Sequence, residues 1–233
     1  MKLEILGTRG EIDESALKHR KHSGILVDDA LLLDIGEKEY LSRNPSQIVI
    51  THLHPDHAFF IIDSAEITVP VYGPESYQGN QVIVQTISDE LDLNPFLLHT
   101  FPTHHSKKVQ SVALVVTRNS SKICYTGDMI WINKEYHSLL KDSDLIITDG
   151  SYIRKGGMVR KDKDTGRLYG HNGIPDLIHL FSGLTDLIIF VHFGSWFFKD
   201  IPASIQKLGE LGKENGVEVL AGYDGMILDT KEL

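Results

Sequence analysis

Within six residues, His52-Leu53-His54-Pro55-Asp56-His57, the chain places three imidazoles and one carboxylate directly behind the apolar stretch Gln47-Ile48-Val49-Ile50-Thr51. The stretch reads as a buried strand, so the run begins where the strand ends. Side chains of an extended segment alternate, which puts His52 and His54 on one side, able to share a metal ion. Pro55 cannot continue a strand ladder and turns the chain, and Asp56 then suits the N-cap of a short helix over 56–63. That turn swings Asp56 and His57 towards a second position beside the first. Imidazole and carboxylate are ordinary metal ligands, and four of them at this spacing point to two metal sites side by side.

The pattern His-x-His-x-Asp-His after a strand resembles the metallo-β-lactamase superfamily. The resemblance implies an α/β fold, a four-layer αβ/βα sandwich of two mixed sheets flanked by helices, with a dinuclear site at one edge. The family's third His for the first metal has two candidates in Phe101-Pro102-Thr103-His104-His105-Ser106. His105 is the better match, because the family's ligand is commonly followed by Ser or Thr. His104 stays open on spacing, and adjacent strand residues face opposite ways. The family's bridging Asp is matched by Asp128 at the end of Lys122-Ile123-Cys124-Tyr125-Thr126-Gly127-Asp128, where Gly127 lets the backbone approach closely. A last strand, Leu187-Ile188-Ile189-Phe190-Val191, ends on His192, and Asp34-Ile35-Gly36 looks like the family's Asp-x-Gly turn beneath the site. The implied cofactors are two divalent ions. One is held by His52, His54 and His105, the other by Asp56, His57 and His192, and Asp128 is shared. Mixed His/carboxylate ligands suit Zn first, with Mn or Fe as alternatives. The implied chemistry is attack by a solvent molecule whose pKa the ions depress, with Asp56 both ligating and orienting the water.

The segment Tyr169-Gly170-His171-Asn172-Gly173-Ile174-Pro175 stands between Asp128 and His192 in the chain. It resembles the phosphodiesterase branch of the superfamily, which holds tRNase Z, and so do Leu6-Gly7-Thr8, Arg20 to Ser23 and Leu33 to Glu37. There His171 would bind no metal but would reach the substrate phosphate, stabilising charge or protonating the leaving oxygen. The plain alternative is an Asn-Gly turn with an incidental His. The implied substrate is an anionic phosphodiester, either a small cyclic one or one derived from nucleic acid. Two departures weigh against tRNA processing. Thr148-Asp149-Gly150-Ser151 replaces a His-Glu-Ala-Thr-like segment, leaving Asp149 as the candidate carboxylate, and no long Gly/Pro-rich arm is present. A carbonyl hydrolase of the lactonase, thioesterase or glyoxalase II type is the alternative, although Ala58-Phe59 replaces the Gly-rich continuation such enzymes often show. A redox member would need iron, and an inactive scaffold would have lost ligands.

With 233 residues the chain can bury a real core, and it reads as a single domain over 1–233. Strands are expected near 2–6, 24–28, 31–34, 47–51, 67–72, 96–101, 111–117, 122–127, 144–148, 186–191 and 217–221. Helices are expected near 56–63, 75–91, 134–141, 173–182 and 201–214. The single cysteine, Cys124, reads as core packing. A start without a signal-peptide pattern, and no span long enough for a membrane, suggest a cytoplasmic protein. The net charge of -9 disfavours wide coverage of nucleic acid. Charge is uneven, however. The segment 151–170 reads as a long loop carrying Arg154, Lys155, Arg160, Lys161, Lys163 and Arg167, and Lys18 to His22 forms a second basic cluster. Arg160, Lys161 and Lys163 are the expected contacts to a small anionic substrate, against the plain reading of a solvated loop.

Overall fold

The apolar runs of this chain are continuous because their strands are buried on both faces. Along strand 112–118 Leu114 and Val116 face one core while Ala113 and Val115 face another, and along 187–191 Ile189 and Val191 are set against Ile188 and Phe190 in the same way. The computed structural model describes all residues, 1–233.

The first half of the chain builds one sheet from β1 (Lys2–Gly7), β2 (Gly24–Val27), β3 (Leu31–Leu33), β4 (Gln47–Val49), β5 (Val71–Gly73), β6 (Tyr77–Gly79) and β7 (Val82–Thr86). The second half builds another from β8 (Glu90–Leu93), β9 (Phe96–Pro102), β10 (Val112–Arg118), β11 (Ser121–Tyr125), β12 (Leu145–Asp149), β15 (Leu187–Val191) and β16 (Glu218–Ala221). Between β12 and β15 a separate hairpin pairs β13 (Met158–Lys161) with β14 (Leu168–His171), and β17 (Met226–Asp229) returns to the first sheet beside β1. The orders are β17-β1-β2-β3-β4-β5-β7-β6 and β16-β15-β12-β11-β10-β9-β8. Both sheets mix parallel and antiparallel pairs.

A core of 22 buried residues lies between the sheets, with Leu3, Ile25 and Leu33 on one side and Leu114, Ile147 and Ile189 on the other. The outer face of the second sheet is covered by α2 (Ile174–Phe181), α3 (Ser195–Phe198) and α4 (Ile201–Asn215), through Leu177, Phe181, Phe197 and Leu208, after the short α1 (His137–Leu140). Asp200 caps α4 by accepting from Ala203 N at 3.0 Å. The outer face of the first sheet is covered by Tyr40, Phe59 and Phe60, from single 3-10 turns at Lys38–Arg43 and Phe59–Ile61. The sandwich is therefore as expected, with one helical layer reduced to 3-10 turns. No helix is long and apolar enough to cross a membrane.

Three expectations are corrected. The segment 75–91 is not a helix but β6, β7 and the start of β8. Val82 and Val84 are buried while Ile83 between them is exposed, a period of two, and Asn80 and Gln81 adopt the left-handed conformation of a tight hairpin turn. The helix at 56–63 shrinks to the 3-10 turn Phe59–Ile61, and Asp56 caps nothing because its carboxylate is drawn to His192. The outer half of the presumed loop 151–170 is the hairpin β13–β14.

Candidate metal centre

Strands β9, β11, β12 and β15 run the same way, so the segments leaving their C-terminal ends gather at one edge of the sandwich. His105, Asp128, Asp149 and His192 lie on or just beyond those ends, and the turn after β4 brings His52 to His57 from the opposite sheet. Three groups of donors share Asp128 there; one of them, Asp128 with Asp149, His171 and His192, lies on the cavity wall, and the other two hold the expected ligands. Donor atoms of His52, His54, His105 and Asp128 lie within 4.8 Å of one another, and so do those of Asp56, His57, Asp128 and His192. Every ligand implied by the resemblance falls in one of these groups.

Within the groups the donor atoms converge closely. His54 Nδ1 lies 3.1 Å from His52 Nε2 and 3.2 Å from His105 Nε2. Asp128 Oδ1 is buried and accepts no hydrogen bond, although His57 Nε2 and His192 Nδ1 stand 3.3 Å away. An orphaned carboxylate oxygen ringed by imidazole nitrogens is costly to bury unless a cation neutralises it. The residues present therefore fit a pair of metal ions.

Supporting hydrogen bonds aim these ligands. Asp34, fully buried, accepts from His57 Nδ1 at 2.7 Å, from the Tyr125 hydroxyl at 2.8 Å and from Thr51 Oγ1 at 2.8 Å. That leaves His57 Nε2 facing the site. His105 Nδ1 donates to Gly170 O at 3.0 Å, which turns Nε2 inward in the same way. Gly127 is required where the Asp128 segment passes β4: its φ is +54°, and a Cβ there would stand 2.6 Å from Thr51 Oγ1.

The electrostatics divide the two groups. Burial, reinforced by neighbouring imidazoles, pushes His52 well below the usual histidine range, and burial pushes His105 down to about 4. Both are neutral donors. Burial also opposes charge on His57, but Asp128, Asp56 and Asp34 outweigh it and raise it to about 10. His192 is raised well above its usual value by Asp128, Asp149 and Asp56 against the same opposition. Burial works against ionisation of Asp128 too, yet His192, His57 and His105 hold it well below the usual carboxylate range. In the second group the carboxylates therefore favour cations, whether protons on the imidazoles or metal.

Of the adjacent pair, His105 joins the first group, while His104 Nε2 meets Asn133 Oδ1 at 3.3 Å. The cause is not strand alternation, because β9 ends at Pro102. It is the left-handed backbone of His104, φ 57°, which turns the two side chains apart.

A cavity of about 580 Å³ opens over the site, lined by Asp56, Asp128, His171 and His192 together with Glu11, Tyr152, Arg154 and Trp196. His171 Nδ1 donates to Asp149 Oδ2 at 2.7 Å, and its Nε2 has no protein partner. Asp149 Oδ1 accepts from Ser151 N and Oγ at 2.9 and 2.5 Å, and Ser151 Oγ lies 3.0 Å from His192 Nδ1. Burial opposes charge on His171, but Asp149 raises its pKa above the ordinary value. Arg160, Lys161 and Lys163, the expected substrate contacts, do not line this cavity; they sit exposed on the outer part of the hairpin. The cation that does is Arg154. Its Nε donates to Gly157 O at 2.8 Å, its guanidinium lies 5.7 Å from the centre of the Tyr152 ring, and no carboxylate pairs with it. In the sequence Arg154 stands out only as one of six basic residues, and nothing but proximity to Asp149, His192 or β1 marks Ser151, Tyr152, Glu11 and Trp196.

No curated protein sequence matches the chain. Among solved structures it resembles the metallo-beta-lactamase fold protein YhfI from Bacillus subtilis, at 17% identity and TM-score 0.72, over 97% of this chain and 98% of that one. It also resembles the short form of human tRNase Z, at 17% identity and TM-score 0.62, over 99% of each chain. A diphosphatase from the PhnP family superposes at 14% identity and TM-score 0.65, over 98% of this chain and 97% of that one. These likenesses establish the fold. The sequence pattern of the metallo-beta-lactamase superfamily itself matches residues 23–171, from β2 to the end of the hairpin. With that match joined to the His/Asp clusters at the sheet edge, the chain belongs to the metallo-β-lactamase superfamily and has the build of its metal-dependent hydrolases.

Proposed function

We propose that this protein is a phosphodiesterase acting on a small anionic phosphodiester, with two divalent ions held at the clusters sharing Asp128. His52, His54 and His105 would hold one ion, Asp56, His57 and His192 the other, and mixed imidazole and carboxylate donors suit Zn first. When bound, such ions supply Lewis acidity towards the phosphoryl oxygens and make water nucleophilic near neutrality.

The chain's own residues do the rest. Asp56, at the cavity floor, can orient the attacking water by accepting its proton. Asp149 holds His171 in the tautomer that keeps Nδ1 protonated, and favours a proton on Nε2 as well. The ring lines the cavity, and Nε2, without a protein partner, can give its proton to the leaving oxygen or bond the charge gathering on the phosphoryl group. Arg154 can receive a substrate anion at the cavity wall, where Glu11, Asp56 and Asp128 alone would repel it. A cavity of about 580 Å³ suits a small diester better than a polymer. The likeness to tRNase Z and to a diphosphatase supports phosphorus chemistry without choosing a substrate.

The observation that carries the reading is the Asp149–His171 pair on the cavity wall, with Nε2 left without a protein partner. His171→Ala should keep the fold and the metal, and lose about 10²–10³ in kcat on bis-p-nitrophenyl phosphate with a smaller change in KM. Near-wild-type cleavage by that variant, or faster turnover of lactones and thioesters by the wild type, would replace this reading with a carbonyl hydrolase.

A further inference from the structure

The hairpin β13–β14 belongs to neither main sheet, and Val159 and Leu168 on it are 39% and 51% exposed. Two strands alone are marginally stable in water. Yet this hairpin delivers two things to the site. His171 is its last residue, and the preceding Gly170 accepts from His105 Nδ1 at 3.0 Å while donating its own N–H to His105 O at 2.7 Å. A shift of the hairpin would displace the cavity imidazole and loosen the aim of His105 together.

Its base is secured beyond His171, where Asn172 donates from N to Met129 O at 2.9 Å and from Nδ2 to Ile130 O at 3.0 Å. Farther out, a cleft of about 320 Å³ lined by Trp131, Asn133, Arg167 and Leu168 parts the hairpin from the loop after Asp128. One ion pair crosses from the body to the outer half: Lys107 Nζ with Asp162 Oδ2. Lys107 lies two residues beyond His105, and its ammonium also stands 4.9 Å from the centre of the Tyr169 ring on β14. Asp162 divides its carboxylate between two tasks. Oδ1 closes the hairpin turn, accepting from Thr165 N at 2.8 Å, Asp164 N at 2.9 Å and Thr165 Oγ1 at 3.0 Å, and Oδ2 is left for Lys107. The Asp162 side chain is only 6% exposed in a segment otherwise open to solvent.

We propose that Lys107 and Asp162 are positioning residues, whose ion pair seats the hairpin so that His171 and His105 keep their working orientation. The catalytic half of this inference rests on the phosphodiesterase reading; the seating half does not. Lys107→Met keeps the aliphatic stem on Tyr169 and removes the charge. Asp162→Asn keeps the turn-closing oxygen and removes the attraction. Each should lower kcat on bis-p-nitrophenyl phosphate roughly tenfold with KM little changed, as slight misplacement of a catalytic group does. Lys107→Arg should retain most of the activity, and in the His171→Ala background Lys107→Met should cost well under tenfold further, only what the loosened His105 loses. In the protein as purified, amide hydrogen exchange across residues 158–171 should speed up in both single variants, and not in Lys107→Arg. Unaltered exchange in both single variants overturns the proposal, as does faster exchange with wild-type kcat, or losses that multiply with that of His171→Ala. If the wild type cleaves no phosphodiester, the functional reading fails alone, and the exchange experiment still decides the seat.

Discussion

The two walls of the cavity are built in opposite ways. On one side, His52 to His57 leave β4 in a single tight turn, with His57 N and Ala58 N both bonded to His54 O at 3.0 and 2.8 Å, and Asp34 locks His57 from beneath. Every ligand there except His54 is buried. On the other side, Asp149 and His171 come from elements 22 residues apart, and His171 rides on a half-exposed hairpin. Under the proposed function the difference would separate labour: holding cations calls for rigid, desolvated donors fixed by packing, whereas handling a substrate calls for an accessible group on a part that can be tuned without disturbing them.

The comparison breaks first at Asp128, the one side chain both clusters share. Asp128→Asn should strip most bound metal, since it removes the charge facing two cations; elemental analysis after chelator-free purification reads the result. Retention of the full metal complement would mean that the clusters are independent and that the rigid wall is not one unit. A smaller effect is expected from Asp34→Ala, which touches no cavity. It leaves His57, Tyr125 and Thr51 with unanswered donors, at about 1–3 kcal/mol for each one left unsatisfied, and should weaken metal affinity about 10–100-fold. Denaturant titration and metal titration should both move; if only stability moves, Asp34 is packing rather than aim. The smallest effects belong to the soft wall. Arg154→Ala should raise KM for an anionic diester roughly tenfold with kcat nearly kept, and should flatten the salt dependence of KM. Neutralising Arg160, Lys161 and Lys163 together should change KM within about twofold, because those exposed cations lie off the cavity and are screened. A larger effect of the triple change than of Arg154→Ala would show that the substrate reaches well beyond the cavity.

How much of this could be read in advance follows the same division. The turn from His52 to His57 is local, and its alternation and proline break are properties of a few consecutive residues. The later members of the clusters, His105, Asp128 and His192, were legible because the resemblance asks for donors just after apolar strands, and each follows one within three residues. Alternating strand-like and helix-like segments made the α/β class legible, and the sandwich followed from the resemblance carried by the His-x-His-x-Asp-His run. By contrast, 75–91 was read as helix because Val82-Ile83-Val84 is too short to show a period, and the turn at Asn80-Gln81 carries no Asn-Gly pair. The Asp56 cap was read from local propensity, which lost to a stronger partner, His192, 136 residues away. The basic segment 151–170 was read by charge alone. Charge does not say which residues face inward, and the hairpin turned three of the expected cations out to solvent.

By itself the sequence determined the chemistry available: which donors exist, that they follow apolar strands, and that a further imidazole, His171, stands between Asp128 and His192. The tertiary structure alone decided the pairings. It gave Asp34 to His57, Asp149 to His171, Gly170 O to His105, and Arg154 rather than its neighbours to the cavity. Strand ends are announced by hydrophobic period, a short-range property. A hydrogen bond or ion pair between residues far apart in the chain depends on the register, twist and stacking of two sheets, to which no local stretch of residues corresponds.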